Sequence, residues 1–409
     1  MRRITYILSL VFIFLIPWED SISTSGWGSL ARVIGFALAA FWLVTIFMEG
    51  RFRKPHVFHF LVLLFFLWNF VSVYWSLDAS GTRQRISTYS QIFLFILVFW
   101  EIFQHPDELK AGLQAYVLGA YMLVAGTLYD YINGIVAVAY EGRYSAPGVN
   151  AVDMALSLIL GLPIALYLFL SDGHGKLNTI LRLVNLAYIP FAIYAVILTG
   201  SRTSLLAVIP FILYIAWTPQ IRPQRRILIF AILIGVLLAL LPFIPASVSS
   251  RLATIGSSIT GEDLGGRVVL WREAIGILAR YPMLGIGGGA LDPVIGTAAH
   301  NTYVSVAAET GFTGFVLFLS ILAMAAYQSV RAGGRNSALW IAVLMIWAIG
   351  VLSLSWEFRK LTWLFLGFVV IAGSLRTEAR AEPAASPALV ERTLPVDFPK
   401  SVAKPKAVR

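Results

Sequence analysis

The sequence predicts an all-α polytopic membrane protein with about twelve transmembrane helices. Of the 409 residues, 58% are hydrophobic and 13% are charged, whereas soluble domains carry about 25% charged residues. The apolar runs are too many and too long for a soluble core, and a helix satisfies its own backbone hydrogen bonds within a bilayer. Several runs are shorter than the roughly 20 residues of a straight span. The segments lie near residues 4–18, 29–48, 57–76, 85–103, 112–132, 152–171, 178–198, 203–217, 227–247, 301–328, 337–354 and 361–375.

The N-terminus and the composition of the chain limit the kinds of protein and of site that the sequence can encode. Arg2 and Arg3 precede an apolar run, as in a signal peptide, but no small-x-small cleavage site follows, which predicts a retained first span. The chain has no cysteine, which excludes disulfides and thiolate metal sites. The formal net charge is +10. In a membrane protein this excess indicates cytoplasmic loops that face anionic membrane lipids, and it does not indicate a nucleic acid partner.

The distribution of Lys and Arg predicts the topology. Most of the 31 Lys and Arg residues fall in loops and termini on one side of the predicted spans, and such loops are typically cytoplasmic. Both termini are therefore predicted in the cytoplasm. We predict one membrane domain, residues 1–380, which includes a large periplasmic loop over residues 248–300. Residues 381–409 are polar and rich in Pro and Ala, which is typical of a disordered cytoplasmic tail.

The loop 248–300 has a pattern of its own. Apolar residues recur near helical spacing between Val268 and Leu278, interleaved with charged residues, which predicts an amphipathic helix on the membrane surface. Pro282 is expected to end this helix. A glycine-rich run follows at residues 285–289, and His300 precedes the next apolar segment.

Outward arginines form a candidate anion site. Arg202, Arg267 and Arg143 carry guanidinium groups, which match phosphate oxygens bidentately and stay charged. Gly200 and Ser201 favour a sharp outward turn just before Arg202. An arginine at membrane depth costs about 2.5–3.5 kcal/mol on insertion scales, so it usually has a partner.

His300 is the candidate proton acceptor, because imidazole titrates near neutrality and can take a proton from a hydroxyl group. Tyr303 lies three residues on, which places both on one face of a continuous helix. Glu309 faces elsewhere unless the helix is broken, which Gly311 and Gly314 permit. The alternatives for His300 are a backbone cap or a side chain that faces water, and the residue alone leaves these open.

Other outward charges have simpler interpretations. Arg83, Arg85 and Arg359 are predicted to anchor the chain at lipid headgroups. Glu19 and Asp20 form an acidic pair, which resembles the pairs that metal-dependent lipid-linked glycosyltransferases use. Solvated loop charge is the simpler interpretation of this pair, and the sequence has neither an HExxH motif nor paired histidines. No metal site is predicted.

Four motifs together resemble the O-antigen ligase superfamily, which also contains O-antigen polymerases. They are GSRTSLLA at 200–207, GR…W at 265–271, YPMLGIGGG at 281–289 and HNTYVSVAAETGFTG at 300–314. The resemblance implies a GT-C-like fold of many spans with a large periplasmic loop that contains short helices. It also implies inverting transfer of a glycan from undecaprenyl diphosphate, with neither a metal nor a nucleotide cofactor.

The resemblance also assigns roles to residues. Arg202 and Arg267 match the arginines that bind pyrophosphate, and His300 matches the family histidine. The segment RYSAPGVNA adds Arg143 and Asn150 as substrate-binding candidates.

Tyr303 is a further candidate for contact with the substrate. The resemblance as a whole predicts an O-antigen ligase of the bacterial inner membrane. Its active site would face the periplasm, and its acceptor would be lipid A–core. The alternatives are an O-antigen or exopolysaccharide polymerase and a transporter of the same lipid-linked glycan.

Overall fold

The computed structural model describes residues 1–24, 28–136, 142–171, 175–218, 221–253 and 266–381. The predicted tail, apart from residue 381, lies outside these ranges. The described helices are α1 (Arg2–Leu15), α2 (Leu30–Glu49), α3 (Val57–Val71), α4 (Ala79–Ile102), α5 (Pro106–Ile132), α6 (Ala151–Phe169), α7 (Lys176–Leu198), α8 (Arg202–Trp217), α9 (Pro223–Leu240), α10 (Ala246–Ala253), α11 (Arg267–Arg280), α12 (Leu291–Ile295), α13 (Thr302–Ala332), α14 (Gly334–Gly350) and α15 (Lys360–Ala381). Short 3-10 turns extend α1, α3, α9 and α14, and β1 (Ser23–Thr24) pairs antiparallel with β2 (Gly28–Ser29).

The prediction of an all-α polytopic membrane protein is confirmed. Within the described ranges, eleven helices are long and apolar enough to cross a membrane, and α8, with 16 residues, is a shorter apolar helix. Each of the twelve predicted segments coincides with one of these helices. The predicted amphipathic helix corresponds to α11, which ends at Arg280, just before Pro282.

Consecutive spans run in opposite directions, which gives the protein two faces. We call them the N-terminal face, which holds the start of α1 and the end of α15, and the His300 face, which holds the loop before α13. A contact between Arg53 and Glu378 at 2.7 Å joins distant parts of the chain at the N-terminal face. A contact between Arg359 and Asp153 at 3.2 Å does the same at the His300 face.

The helix α6 lies at the centre of the fold, and nearly all of its residues are buried. It packs against α5, α7, α8 and α14. Two buried tyrosines bind its backbone: the hydroxyl of Tyr116 donates to the carbonyl of Ser157 at 2.6 Å, and that of Tyr188 donates to Leu158 at 2.9 Å. These bonds satisfy phenol groups that would be costly to bury unpaired.

The helix α13 breaks at Gly311, as the sequence permits, with φ 65° and ψ −171°. The segment after α11 occupies the break. Phe312 N donates to the carbonyl of Pro282 at 2.7 Å, and Ile286 N donates to the carbonyl of Ala308 at 3.2 Å. The segment between α11 and α12 is thereby hydrogen-bonded to the break within α13.

Candidate functional site

His300 stands immediately outside α13 in an uncommon backbone conformation. Asn301 is the N-cap, and its side-chain oxygen accepts from the amides of Tyr303 at 3.0 Å and Val304 at 3.2 Å. His300 has φ 50° and is the one described non-glycine residue with positive φ. Such conformations cost free energy and concentrate at functional sites. The helix therefore begins only after Asn301, and the half-buried His300 precedes it in a bend.

The prediction that His300 and Tyr303 share a helix face is wrong, because His300 precedes the helix. The Tyr303 hydroxyl donates to the carbonyl of Ala348 at 3.4 Å, and its ring packs edge-on against Trp347. Tyr303 therefore packs against α14.

Two tryptophans hold the turn that carries His300. Trp271 of α11 donates its indole N–H to the carbonyl of Ala299 at 3.0 Å. Thr302 accepts from the amide of Trp356 at 2.8 Å and donates its hydroxyl to the carbonyl of Leu354 at 2.8 Å. The residues on both sides of His300 are therefore fixed, one by α11 and the other by the segment after α14.

The surroundings of His300 favour its neutral form. Burial lowers the pKa of the imidazole below its ordinary value of 6.5, and the positive charge of Arg267 lowers it further. The carboxylates of Asp153 and Asp292 act in the opposite direction with smaller effects. The neutral imidazole can accept a proton at neutral pH. Arg267 begins α11, and Trp271 of that helix binds the carbonyl of Ala299, so the structure brings Arg267 and His300 into one region.

The segment that contains Arg143 meets the turn that carries Arg202. Tyr144 N donates to the carbonyl of Leu198, the last residue of α7, at 3.2 Å. Gly200 has φ 57°, and Arg202 is the first residue of α8, which confirms the predicted turn. Arg143 and Arg202 thus lie on adjoining stretches of backbone at the His300 face.

Asn150 lies at the end of the same segment and caps α6. Its side-chain oxygen accepts from the amide of Val152 at 2.8 Å. Asp153, in the first turn of α6, accepts from the indole of Trp356 at 2.6 Å. Because Trp356 also holds Thr302, this contact connects the start of α6 to the turn of His300.

Two comparisons with known proteins bear on this arrangement. Residues 187–319 match the family model described as O-antigen ligase. Over 327 residues the chain is 23% identical to the exopolysaccharide production protein ExoQ of Rhizobium meliloti (strain 1021), an alignment that covers 71% of this chain and 70% of that protein. Over residues 187–319 the chain is similar to the O-antigen ligase superfamily. This confirms the resemblance seen in the motifs, and it indicates a glycosyltransferase-like membrane enzyme of polysaccharide synthesis.

The interval that matches the O-antigen ligase model contains Arg202, Arg267, His300 and Tyr303. Arg143 and Asn150 precede it, so their placement beside the Arg202 turn comes from the structure alone. The roles of all six residues remain predictions.

The glycines of the superfamily motif YPMLGIGGG serve close packing. Gly287 has φ 99°, and a Cβ atom there would lie 2.8 Å from the Cα of Ser76. A Cβ atom on Gly285 would lie 2.3 Å from the carbonyl oxygen of Glu309. Gly288 N donates to the hydroxyl of Ser72 at 3.1 Å. The run therefore packs the loop against α3, α4 and the break in α13.

Sequence reasoning missed a buried ionic cluster beside the candidate site. The prediction of Arg85 as a headgroup anchor is wrong, because its side chain is only 10% exposed and its guanidinium lies 2.8 Å from Glu357 and 3.8 Å from Glu309. Both carboxylates are buried, and burial raises the pKa of Glu357. Glu309, a carboxylate within an apolar segment, was the available signal, because such a group requires a partner.

Glu19 and Asp20 are paired with cations. Lys360 binds Glu19, and Arg359 lies 2.9 Å from Asp20 and 3.2 Å from Asp153. Arg359 is therefore held by carboxylates at the His300 face, which does not fit the predicted anchor to lipid headgroups. Within the described ranges, no group of three or more His, Cys, Asp or Glu residues could hold a metal ion. The acidic pair is thus an ionic contact between the start and the end of the membrane domain.

Proposed function

We propose that the protein transfers O-antigen polysaccharide from undecaprenyl diphosphate to lipid A–core oligosaccharide, in lipopolysaccharide biosynthesis. The observation that carries this proposal is the position of His300. It is a half-buried imidazole with a lowered pKa, it lies within the electrostatic reach of Arg267, and it stands at the end of a membrane span. The proposed membrane is the bacterial inner membrane, with the His300 face in the periplasm and both termini in the cytoplasm.

In the proposed reaction, a hydroxyl group of the acceptor attacks the anomeric carbon of the glycan, opposite the diphosphate. His300 takes the hydroxyl proton as the new C–O bond forms. The bond between the anomeric carbon and the diphosphate oxygen breaks, and its electron pair leaves with the diphosphate. Arg202 and Arg267 stabilise that developing charge, which requires no metal ion. Attack opposite the leaving group inverts the anomeric configuration.

Arg143, Asn150 and Tyr303 are proposed further contacts to the substrates. Arg143 adjoins the Arg202 turn and would add positive charge for the diphosphate. Asn150 and Tyr303 each have a structural partner as well, which would fix the direction in which they meet a sugar.

An apolar cavity near Arg202 supports a prenyl donor. It has a volume of about 350 Å³ between α6, α7, α8 and α9, and its lining is almost entirely apolar. Leu205, one turn after Arg202, lines it together with Val208 and Leu233. A prenyl chain in this cavity would leave its diphosphate near the start of α8, where Arg202 stands.

A polymerase is the second candidate, because ExoQ, at 23% identity, bears the name of an exopolysaccharide production protein. A polymerase would use the same leaving group, with a second lipid-linked glycan as the acceptor. A transporter of the lipid-linked glycan, which would bind the diphosphate without breaking a bond, is the third.

One transfer assay separates these candidates. The full chain, reconstituted in vesicles with undecaprenyl-diphosphate O-antigen, is supplied with lipid A–core and an excess of a metal chelator. We expect glycosylated lipid A–core as the product. Elongation of the lipid-linked glycan without transfer to lipid A–core would establish the polymerase instead. Movement of intact donor across the vesicle membrane without any transfer would establish a transporter.

A further inference from the structure

A cavity between α1, α5 and α7 lies near the N-terminal face, away from the candidate site. Its volume is about 750 Å³, within the range of about 300–1,000 Å³ that ligand pockets commonly have. The helix α5 packs against both α1 and α7 and forms the floor of the cavity.

The lining of this cavity changes from charged to apolar along the helix axes. Lys110 and Arg182 line it in the second turns of α5 and α7, next to the N-terminal face. Leu10, Phe14 and Leu118 line it deeper in the membrane. A molecule that fits this lining has an anionic head and an apolar tail.

Both cations are available to an anion. Lys110 lies 3.0 Å from Asp107, which also lines the cavity. That carboxylate is 92% exposed, and such exposed ion pairs are weak. Arg182 donates through Nε to the carbonyl of Phe169 at 2.8 Å, and within the described ranges it forms no ion pair. The helix α7 also begins at this face with no acidic residue in its first turn, so its N-terminal dipole adds positive potential.

A pair of amides lies between the charged end and the apolar end. Gln114 donates to the oxygen of Asn185 at 3.0 Å, and Asn185 donates to the oxygen of Gln114 at 2.8 Å. Each amide nitrogen carries two hydrogens. Asn185 is buried and supports Gln114, whose side chain is partly exposed and retains one hydrogen for a ligand. Gln114 lies one turn after Lys110, at the depth where a glycerophospholipid has its ester carbonyls.

We propose that this cavity binds an anionic glycerophospholipid of the leaflet at the N-terminal face. Its phosphate contacts Lys110 and Arg182, an ester carbonyl accepts from Gln114, and one acyl chain lies against Leu118. A prenyl phosphate would match the cations but has no ester carbonyl for the amides. The proposal does not rest on glycan transfer.

Native mass spectrometry of the full chain, titrated with single lipids, tests this site. We expect phosphatidylglycerol to bind more tightly than phosphatidylcholine with the same chains. Its diether analogue, which lacks the ester carbonyls, should bind several-fold more weakly. The double variant Lys110→Gln/Arg182→Gln should weaken phosphatidylglycerol binding by about tenfold or more, because each basic residue at a membrane surface attracts anionic lipid.

The matched control is Arg51→Gln/Arg222→Gln, which removes two exposed cations from the same face outside the cavity and should bind like the wild type. Ala115→Trp, which fills the apolar part of the cavity without changing its charge, should also weaken phosphatidylglycerol binding. This variant tests the site if the double charge variant does not fold. Equal binding of the two phospholipids or equal effects of both double variants would overturn the proposal. So would a Lys110→Gln/Arg182→Gln variant that loses more affinity for undecaprenyl phosphate than for phosphatidylglycerol.

Discussion

Arg85 Nη1 lies 2.8 Å from Glu357 Oε1, and this contact joins α4 to the segment that follows α14. The same guanidinium lies 3.8 Å from Glu309, two residues before the break in α13. Glu309 accepts from the amide of Leu291 at 3.4 Å. One cation therefore connects the supports on both sides of the candidate site, the glycine-rich loop and the segment that holds Thr302.

We expect Arg85→Gln to destabilise the fold strongly. Removing one partner of a buried ion pair typically costs about 3–5 kcal/mol, because the other charge stays buried without compensation. The measurement is thermal unfolding of the purified chain in detergent. The triple variant Arg85→Gln/Glu309→Gln/Glu357→Gln, which leaves no buried charge in the cluster, should recover much of the lost stability. A melting temperature for Arg85→Gln equal to that of the wild type would show that this contact is not a structural support.

His300→Ala should abolish glycan transfer without unfolding the protein, because the residue is half-buried and lies outside a helix. The measurement combines the transfer assay with a melting curve. Wild-type transfer by the folded variant would remove the proton-acceptor role.

Arg202→Ala should likewise lose transfer, and added divalent metal should not restore it.

The pH dependence of transfer should reflect the surroundings of His300. The neutral imidazole is the active form, so kcat/KM should rise with pH through the pKa of His300 and then level off. Because burial and Arg267 lower that pKa, the midpoint should lie below pH 6.5.

Charge variants test the sign of each electrostatic effect on His300. Arg267→Gln removes a positive charge, so the midpoint should move to higher pH, in addition to any loss of rate. Asp292→Asn removes a negative charge and should move it to lower pH. A midpoint that neither variant moves would mean that another group controls the profile.

The glycine-rich loop offers a test of packing with an internal control. Gly287→Ala should destabilise the fold, because the new Cβ would meet the Ser76 backbone at 2.8 Å, and overpacking typically costs about 1–3 kcal/mol. Gly296 also has positive φ, but a Cβ there would meet nothing within 4 Å. Gly296→Ala should therefore show only the cost of the left-handed backbone, about 1–2 kcal/mol. Equal melting temperatures would contradict the packing role of Gly287.

The spans and the turns of this fold could be predicted because they depend on local sequence. Apolar runs set the helices, Pro282 follows the end of α11, and Gly311 allows the break in α13. The contacts of Arg85 could not be predicted, because its partners lie more than 200 positions away in the chain. An outward arginine at a helix start has the same local pattern whether it meets lipid or a buried carboxylate.

Part of the candidate site could likewise be predicted from local sequence, and part of it could not. The motifs identified Arg202, Arg267 and His300 as site candidates, and the structure places all three at the His300 face. The relation between His300 and Tyr303 was predicted incorrectly, because the spacing of three residues assumes a continuous helix. The side chain of Asn301 instead caps the helix one residue after His300. The next residue, Thr302, contacts the distant segment at Leu354 and Trp356, which local sequence does not show.

The apolar cavity beside Arg202 should discriminate donors by the length of their prenyl chain. Val208 lines this cavity between α7, α8 and α9, so Val208→Trp should occupy the space of a long chain. We expect KM for the undecaprenyl donor to rise several-fold, with kcat nearly unchanged. A donor with a short prenyl chain, whose tail would not reach Val208, should keep its KM.

Ile232→Trp is the matched control for this prediction. Ile232 lies on α9, its side chain is 55% exposed, and it does not line the cavity. The added indole should therefore face lipid and leave KM unchanged for both donors. If Val208→Trp slowed long and short donors equally, the indole would be acting on the Arg202 turn, and the prenyl chain would have to bind elsewhere. If both tryptophan variants raised KM alike, the donor would reach the site along the outer surface of α9.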